Sequence, residues 1–462
     1  MDNGTPLKLR LKSLKLTNFK NFQSVTLELG PTTVIIGANA TGKSNLREAF
    51  RFLHAIGRGY SLAEIVGGKS TESGERVWSG IRGGMRELPF RKKESLEIDA
   101  RFEDKANKDS FIYTIRFVIQ SIDKLSLAHE SLTRNGETVF STLTDTEANM
   151  NVVVPAFVKF IHETDRPVLP IVDSRPQSSF LENEFVARVL SPELETKRPP
   201  VMELLQGPIS NETASLIVTA VENRWSLLHN QTSAILEVFR NLRFFDLDIE
   251  TMRQTSRPGQ FALSENGSNL SAVLYEIYQD PGRKQRVLTW LHELTPMDVE
   301  SFDFFTDDLG NVRLQLVEAD GRKTSVFSAS DGTLRFLGIL TAMLGPQPAS
   351  LYFFEELENG IHPARQYLLL QLIEQQAGSG KTQVIITTHS SSLLNSVRGE
   401  TLEHAYLLYR PEGRADATLT RLLDMPDAAR LAQAQGLGRL HASGWFENVM
   451  SFAEDEKPEA VS

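Results

Sequence analysis

The chain has 462 residues, of which 40% are apolar and 23% are charged, with a net charge of -10 and no cysteine. This composition predicts a globular protein of one large or two ordinary domains and excludes a disordered chain or a fibrous repeat. The lack of cysteine excludes disulfides, thiolate zinc sites, iron–sulfur ligation and cysteine nucleophiles.

No apolar run reaches the roughly 18 residues that a membrane span needs, and the first twenty residues lack a signal-peptide core. We therefore expect a cytoplasmic protein. The acidic net charge excludes a constitutive nucleic-acid coat, so any DNA contact must be a local patch. Two basic segments are candidates, although solvated surface charge is the commoner explanation: Lys8, Arg10, Lys12 and Lys15, and Arg82, Arg86, Arg91, Lys92 and Lys93.

Strands are predicted within residues 7–36, where LKLRLKSLKL alternates with period two and TTVII is a β-branched run typical of a buried parallel strand. A helix follows and ends before Gly57, because apolar residues recur at helical spacing at Leu46, Ala49, Phe50 and Leu53. Residues 57–92 are rich in glycine and charge, and we interpret them as loops.

Residues 94–142 alternate again around an Asn-Gly-Glu turn at 135–137, which predicts an antiparallel β lobe. From about 180 to 295 the period becomes helical in SLIVTAVENRWSLL, AILEVFRNL, NLSAVLYEIY and RVLTWLHEL. Residues 312–317 and 324–327 return to strand character. We expect a three-part organisation: an N-terminal α/β part with the β lobe at 1–175, an inserted helical lobe at 176–300, and a C-terminal α/β part at 301–462.

The segment Gly37–Ser44 matches the phosphate-loop pattern GxxxxGK[ST] and lies between a buried strand and an amphipathic helix, as that motif requires. Its glycines allow main-chain N–H groups to converge on phosphate oxygens, Lys43 supplies a positive charge, and Ser44 offers a hydroxyl to Mg²⁺. The sequence therefore predicts nucleotide binding, with contacts from Gly37, Asn39, Ala40, Thr41, Gly42, Lys43, Ser44 and Asn45.

An apolar strand, SLYFF, runs into Glu355 and Glu356 and is similar to a Walker B element. In that role Glu355 holds Mg²⁺ through its water, and Glu356 polarises the water that attacks the γ-phosphate. The buried run QVIITT ends at His389, one helix and one strand later. Because parallel strands end at the same edge of a sheet, His389 is expected to reach the γ-phosphate.

A further helix start lies at Ser330-Asp331-Gly332-Thr333, where Ser330 or Asp331 fits the N-cap position. The order of the phosphate loop, SDGT, the glutamate pair and TTHS resembles the ABC ATPase heads of the RecF, SMC and OLD kind. The resemblance is most specific at LKLTNFKNF, GANATGKSN, SDGTLRFLGIL, LYFFEELENGIHP and VIITTHSSSLL, and covers residues 1–60 and 320–400. LSENGSNLSAVL at 263–274 also looks like stand-alone bacterial ATPases that accompany defence or DNA-processing partners.

This resemblance implies an ATPase head in which a phosphate-loop sheet is combined with a β lobe. It also implies a homodimer or larger assembly, in which ATP bound by Lys43 and Ser44 of one protomer is closed by Ser330 and Gly332 of the other. A separate effector protein, such as a nuclease, is expected, since only 72 residues follow Ser390 (462 − 390) and a Toprim nuclease domain is larger. The same resemblance implies DNA as a partner and a role in anti-phage defence or DNA repair.

The chain departs from the family pattern at Glu355, where aspartate is more usual, and at SDGT, which replaces SGGQ. Gln120 is a weak candidate for the Q-loop glutamine. The alternative function is the ATPase subunit of a membrane transporter, although the separation of 286 positions between the phosphate loop and SDGT (330 − 44) exceeds what such a subunit needs. Two further functions rank below these. One is a nuclease that uses Asp246 and Asp248, and the other is a P-loop kinase.

Overall fold

The computed structural model describes residues 7–121, 124–141, 230–294 and 299–455. The chain forms two compact units. Unit 1 comprises Met1–Glu28 and Glu48–Asn241, and unit 2 comprises Leu29–Arg47 and Leu242–Ser462. Much of the predicted helical lobe, including SLIVTAVENRWSLL at 215–228, lies outside the described residues.

The strands are β1 (Leu9–Phe19), β2 (Phe22–Glu28), β3 (Thr32–Ile36), β4 (Lys69–Ser70), β5 (Arg76–Trp78), β6 (Ser95–Asp104), β7 (Ser110–Ser121), β8 (Lys124–Arg134), β9 (Glu137–Ser141), β10 (Leu242–Phe245), β11 (Val299–Thr306), β12 (Val312–Glu318), β13 (Lys323–Ser325), β14 (Leu351–Phe354), β15 (Gln383–Thr388), β16 (Ala405–Tyr409) and β17 (Thr418–Arg421). The helices are α1 (Lys43–Gly57), α2 (Leu62–Gly67), α3 (Gly84–Glu87), α4 (Ile249–Met252), α5 (Leu270–Tyr278), α6 (Pro281–Leu294), α7 (Asp331–Leu344), α8 (Pro363–Gly378), α9 (Ser391–Leu394), α10 (Gly399–Glu403), α11 (Ala428–Gln435), α12 (Leu437–Ala442) and α13 (Trp445–Asp455). Residues 230–240 are also helical.

Unit 1 contains a six-stranded antiparallel sheet in the order β2-β1-β6-β7-β8-β9. The predicted β lobe is confirmed. Its turn joins β8 to β9 at Asn135 and Gly136, both of which have positive φ (51° and 86°). Asparagine and glycine adopt this left-handed backbone at the lowest cost, which is why the pair marks a tight hairpin in the sequence.

The loop prediction for residues 57–92 was wrong in part, because this stretch contains α2, α3, β4 and β5. Ser61 and Glu64 form a capping box that starts α2. The indole of Trp78 donates to the carbonyl of Ile65 at 3.0 Å, and the Arg51 guanidinium lies 4.4 Å from the Trp78 ring centre. Leu62, Ile65 and Val66 of α2 are also buried, so the segment is held by a capped helix start, a short apolar face and the Trp78 contacts.

Unit 2 is built on a sheet in the order β10-β14-β15-β3-β16-β17, in which only the edge strand β17 is antiparallel. The predicted parallel strand TTVII is its β3. Every residue of β3, β14, β15 and β16 is buried, as expected for strands covered on both faces. β10 pairs with β14 although it lies within the stretch of helical periodicity at 180–295.

Several sequence predictions are confirmed by this architecture. The predicted apolar face of α1 is buried at Leu46, Ala49, Phe50 and Leu53. NLSAVLYEIY and RVLTWLHEL form α5 and α6, and β12 and β13 occupy the predicted strands near 312–317 and 324–327. The chain is thus an α/β protein with a phosphate-loop parallel sheet and an antiparallel β lobe. Among the described helices, none is long and apolar enough to cross a membrane.

The phenol of Tyr352 anchors β14 within unit 2. Its hydroxyl donates to the carbonyl of Ala342 at 2.8 Å and accepts from the N–H of Ala349 at 2.9 Å.

We expect Tyr352→Phe to lower the free energy of unfolding by about 1–3 kcal/mol, because two buried main-chain groups lose a partner. The measurement is the urea midpoint. Tyr367→Phe, on an exposed tyrosine, is the control and should change stability by less than about 0.5 kcal/mol; equal effects would contradict this prediction.

Candidate functional site

Three neighbouring parallel strands of unit 2 end at the same edge of the sheet. β14 pairs with β15 up to Phe354, and β15 pairs with β3 up to Ile36. The residues that directly follow these strand ends are Glu355, His389 and Gly37. The register therefore brings the phosphate loop, the glutamate pair and the histidine to one place, as the sequence predicts from parallel topology.

The phosphate loop is a compact turn packed against β16. A Cβ on Gly37 would lie 2.4 Å from the carbonyl oxygen of Leu408 and 2.8 Å from the hydroxyl of Thr41, so only glycine fits. The Thr41 hydroxyl donates to the carbonyl of Ala38 at 2.9 Å. Ala40 and Gly42 have positive φ (65° and 121°). Such left-handed steps turn successive N–H groups toward one side, the geometry of an anion-binding nest.

Lys43 is almost fully buried at the start of α1. Its Nζ donates to the carbonyls of Gly37 at 2.5 Å and Ala38 at 2.9 Å. Burial lowers the pKa of Lys43, whereas the negative charges of Glu356, Glu358 and Glu355 favour its protonated form. Lys43 is thus a buried cation that donates to two loop carbonyls and experiences the field of three carboxylates.

Glu355 makes an ion pair at the end of β14. Its Oε2 accepts from Nη1 of Arg47 at 2.5 Å, and Nη2 of Arg47 pairs with Glu265. Burial lowers the pKa of Arg47, but the two carboxylates raise it by more, so the net pKa is above the ordinary value. Glu355 is therefore a carboxylate with one oxygen fixed by a guanidinium.

Glu356 adopts a backbone conformation that is unusual for glutamate, with φ of 47°. Its N–H donates to the hydroxyl of Thr387 at 3.0 Å, and its Oε2 accepts from the Asn359 side chain at 2.6 Å. Left-handed backbone at a non-glycine residue costs energy and is held only where the surroundings determine it. Thr387 therefore holds the main chain of Glu356, and Asn359 holds its carboxylate.

His389 is oriented by Glu358, a residue that the sequence analysis did not single out. The buried Glu358 carboxylate accepts from the main-chain N–H of His389 at 2.8 Å, and its Oε1 lies 3.2 Å from Nδ1 of the ring. The second oxygen of Glu358 is buried without a hydrogen-bond partner among the described residues. Glu358 therefore fixes both the main chain and the ring of His389.

The SDGT segment lies at the start of α7. Ser330 is the N-cap and accepts from the N–H of Thr333 at 3.2 Å. A Cβ on Gly332 would lie 2.9 Å from the carbonyl of Gly360. Among the described residues, no hydrogen bond or ion pair joins Ser330 or Gly332 to the phosphate loop. Ser330 is exposed to solvent.

Arg253 supports the SDGT segment and was also missed by the sequence analysis. Its guanidinium donates to three carbonyls of residues 326–329 and to the carboxylate of Asp331 at 2.7 Å. A single arginine adds nothing to the apolar periodicity of a sequence, so the contacts of Arg253 with the SDGT segment are seen only in the folded structure.

The structure also gives the positions of the other residues that the sequence singled out. Asn39 and Ala40 are exposed in the loop, and Ser44 and Asn45 lie in the first turn of α1. Asp248 caps α4 through the N–H of Glu250, a structural role. Within the described part of the chain, no group of three or more acidic or histidine side chains could hold a metal. Gln120 lies near the end of β7 in unit 1.

The arrangement suits a phosphorylated ligand and a hard cation. A glycine-bounded nest at a helix N-terminus accepts phosphate, and Lys43 offsets its charge. The hydroxyl of Ser44 and the carboxylate of Glu355 are the hard oxygen donors that Mg²⁺ prefers.

A family profile described as "AAA domain, putative AbiEii toxin, Type IV TA system" matches residues 32–124 and 212–395, more than half of the chain. The chain belongs to this family. The match contains the phosphate loop, the glutamate pair and His389, so all three groups lie in the AAA domain of this family.

Curated relatives and solved structures share smaller similarities with the AAA-domain protein. The DNA replication and repair proteins RecF of Brucella abortus and Brucella suis are 46% identical over 59 residues, 13% of this chain. The chain spans about 15% of the length of those relatives. The SMC head domain of Thermotoga maritima has a TM-score of 0.38 at 11% identity, covering 89% of this chain and 98% of that one. The Smc head with coiled coil and joint of Pyrococcus yayanosii has a TM-score of 0.43 at 11% identity, covering 92% and 99%.

We expect Gly37→Ala to weaken nucleotide binding by at least about tenfold, because the added Cβ clashes with the main chain of Leu408 and must displace the loop. Fluorescence titration with a labelled ATP analogue measures the effect. Gly378→Ala, whose Cβ meets nothing within 4 Å, is the matched control. Equal affinities of the two variants would contradict the prediction.

Proposed function

We propose that this protein binds and hydrolyses ATP with Mg²⁺ and acts as a switch that changes its assembly with the nucleotide bound. The observation that supports this most is the convergence of Lys43, the pair Glu355 and Glu356, and the couple Glu358 and His389 on one sheet edge. Structural ion pairs alone do not explain why a buried lysine, a strained glutamate and an anchored histidine share the same strand ends.

Each residue has a distinct role in the proposed reaction. Main-chain N–H groups of residues 39–43 and Nζ of Lys43 hold the phosphates, and Ser44 and Glu355 hold the hydrated Mg²⁺. Mg²⁺ held there would supply positive charge to offset the charge that develops on the phosphate oxygens. Glu356 accepts a hydrogen bond from the attacking water and polarises it. His389, with Nδ1 held by Glu358, directs Nε2 toward the γ-phosphate.

The switch is proposed to close between two copies of the chain. Ser330 and Gly332 begin a 14-residue helix whose N-terminus favours an anion. Ser330 is exposed, and among the described residues its hydrogen bonds stay within its own helix start, so its hydroxyl can face a second protomer. ATP held by one phosphate loop then contacts the SDGT segment of the partner, and hydrolysis separates the two.

The target of the switch is proposed to be DNA or a separate effector protein. We place the protein in the cytoplasm and propose a role in anti-phage defence or DNA repair. The family description names a toxin of a toxin–antitoxin system, and the RecF relatives are named for DNA replication and repair. A local basic patch in unit 1 supports DNA as one target. The main-chain N–H of Lys105 donates to the carbonyl of Lys8 at 3.1 Å, and the charges of Arg10 and Lys8 help burial to lower the pKa of Lys105, so the three cations lie near one another.

Glu356→Gln tests the proposed reaction and the assembly together. We expect the variant to bind ATP, to release phosphate at least about a hundredfold more slowly, and to accumulate as a larger species with ATP and Mg²⁺, because the general base is removed while the binding groups remain. Phosphate release, light scattering on a sizing column and DNA retention at low salt measure these effects.

The control is Glu412→Gln, on an exposed glutamate of unit 2, which should hydrolyse ATP and elute like the wild type. Persistent hydrolysis by Glu356→Gln would show that Glu356 is not the base. An unchanged elution volume with ATP and Mg²⁺ would instead contradict the nucleotide-dependent assembly.

A further inference from the structure

Arg47 links Glu355 of the glutamate pair to the segment 263–270, which has no role in the reaction proposed above. Its Nη1 donates to Oε2 of Glu355 at 2.5 Å, and its Nη2 donates to the carboxylate of Glu265, within the LSENGSNL segment. The side chains of Arg47 and Glu355 are only 13% and 16% exposed. A partly buried guanidinium held by two carboxylates has a fixed orientation, since its planar fork presents paired donors.

The segment that carries Glu265 is itself tied down at both ends. The N–H groups of Asp246 and Asp248, which follow β10, donate to the carbonyls of Glu265 and Asn266 at 3.1 Å each. The side chain of Asn269 accepts from the N–H of Ser264 at 2.8 Å. Because β10 pairs with β14, this turn is fixed to the same sheet that ends in Glu355.

Glutamate at position 355 creates a positioning problem that this contact solves. Its side chain has one more rotatable bond than aspartate, so a free carboxylate at the strand end samples more orientations. Fixing Oε2 with Arg47 removes that freedom and leaves Oε1 as the oxygen available to a hydrated cation.

We propose that Arg47, held by Glu265, is a positioning residue that orients the Glu355 carboxylate for Mg²⁺. This inference rests on the proposed ATPase function, and it assigns the LSENGSNL segment a role in cation binding. Partners of this kind, which orient a metal ligand without touching the metal, typically contribute 10–100-fold in metal affinity.

Arg47→Met tests the role, because methionine retains the apolar bulk and loses the donors. We expect the Mg²⁺ concentration for half-maximal phosphate release to rise about tenfold or more. Binding of Mn²⁺ to the ADP-loaded protein, followed by electron paramagnetic resonance, should weaken by a similar factor. Affinity for a fluorescent nucleotide in EDTA should change less than about twofold, since no phosphate contact is removed.

Two further variants separate orientation from simple support of the fold. Arg47→Lys keeps the charge but loses the fork, and Glu265→Gln weakens the hold on Arg47; both should shift the Mg²⁺ and Mn²⁺ midpoints in the same direction by a smaller factor. Arg286→Met, at an exposed position on α6, is the matched control and should leave every midpoint unchanged.

The outcomes distinguish this inference from the proposed function. If Arg47→Met and Glu265→Gln lower the melting temperature but leave the Mg²⁺ and Mn²⁺ midpoints within about twofold of the wild type, Arg47 only supports the fold and the inference is overturned. If the wild type itself neither hydrolyses ATP nor binds Mn²⁺ with nucleotide, the proposed function fails first.

Discussion

The parallel pairing of β14, β15 and β3 is the constraint on which the site depends. Each strand is fully buried, so its register is fixed by packing, and a shift of one residue would turn its side chains to the opposite face. The residues that follow the buried ends of β14, β15 and β3 are Glu355, His389 and Gly37. The same apolar packing that stabilises unit 2 therefore sets the distances between the groups that we propose to act on ATP.

Charge balance is the second organising feature of this edge. The negative charges of Glu355, Glu356 and Glu358 act on the buried Lys43, and unpaired carboxylates at such a site would repel one another and an incoming triphosphate. Arg47 offsets the charge of Glu355, and Glu358 is bonded to His389. Glu356, held by Asn359, is the remaining carboxylate of the three, and it is the one that we propose to act on water. Three acidic residues within four positions thus acquire three different partners, which is how we propose that one short segment serves three roles.

The sequence predicted the parts of the fold that local pattern specifies. The strand, glycine loop and helix around Lys43 follow from short-range spacing, and the hairpin at Asn135 follows from turn chemistry. The helices α2 and α3 were missed because they are only six and four residues long, too short to show a helical period among so many glycines and charges. Likewise, Glu358, Arg47 and Arg253 act through partners 31 to 308 residues away in the chain. Contacts of that separation leave no mark in a single sequence, although Glu358 lies two residues after the predicted glutamate pair and proximity could have suggested it.

The measurement that tests the shared site most directly is a complementation assay between two inactive variants. Lys43→Ala disables the phosphate loop, and Ser330→Arg blocks the SDGT surface at an exposed position. If two protomers share each ATP site, a mixture of the two variants contains pairs in which an intact loop meets an intact SDGT segment, and phosphate release reappears on mixing. A mixture that never exceeds the sum of the separate activities, although mass analysis detects mixed pairs, would contradict the shared site and leave each chain as a self-contained ATPase.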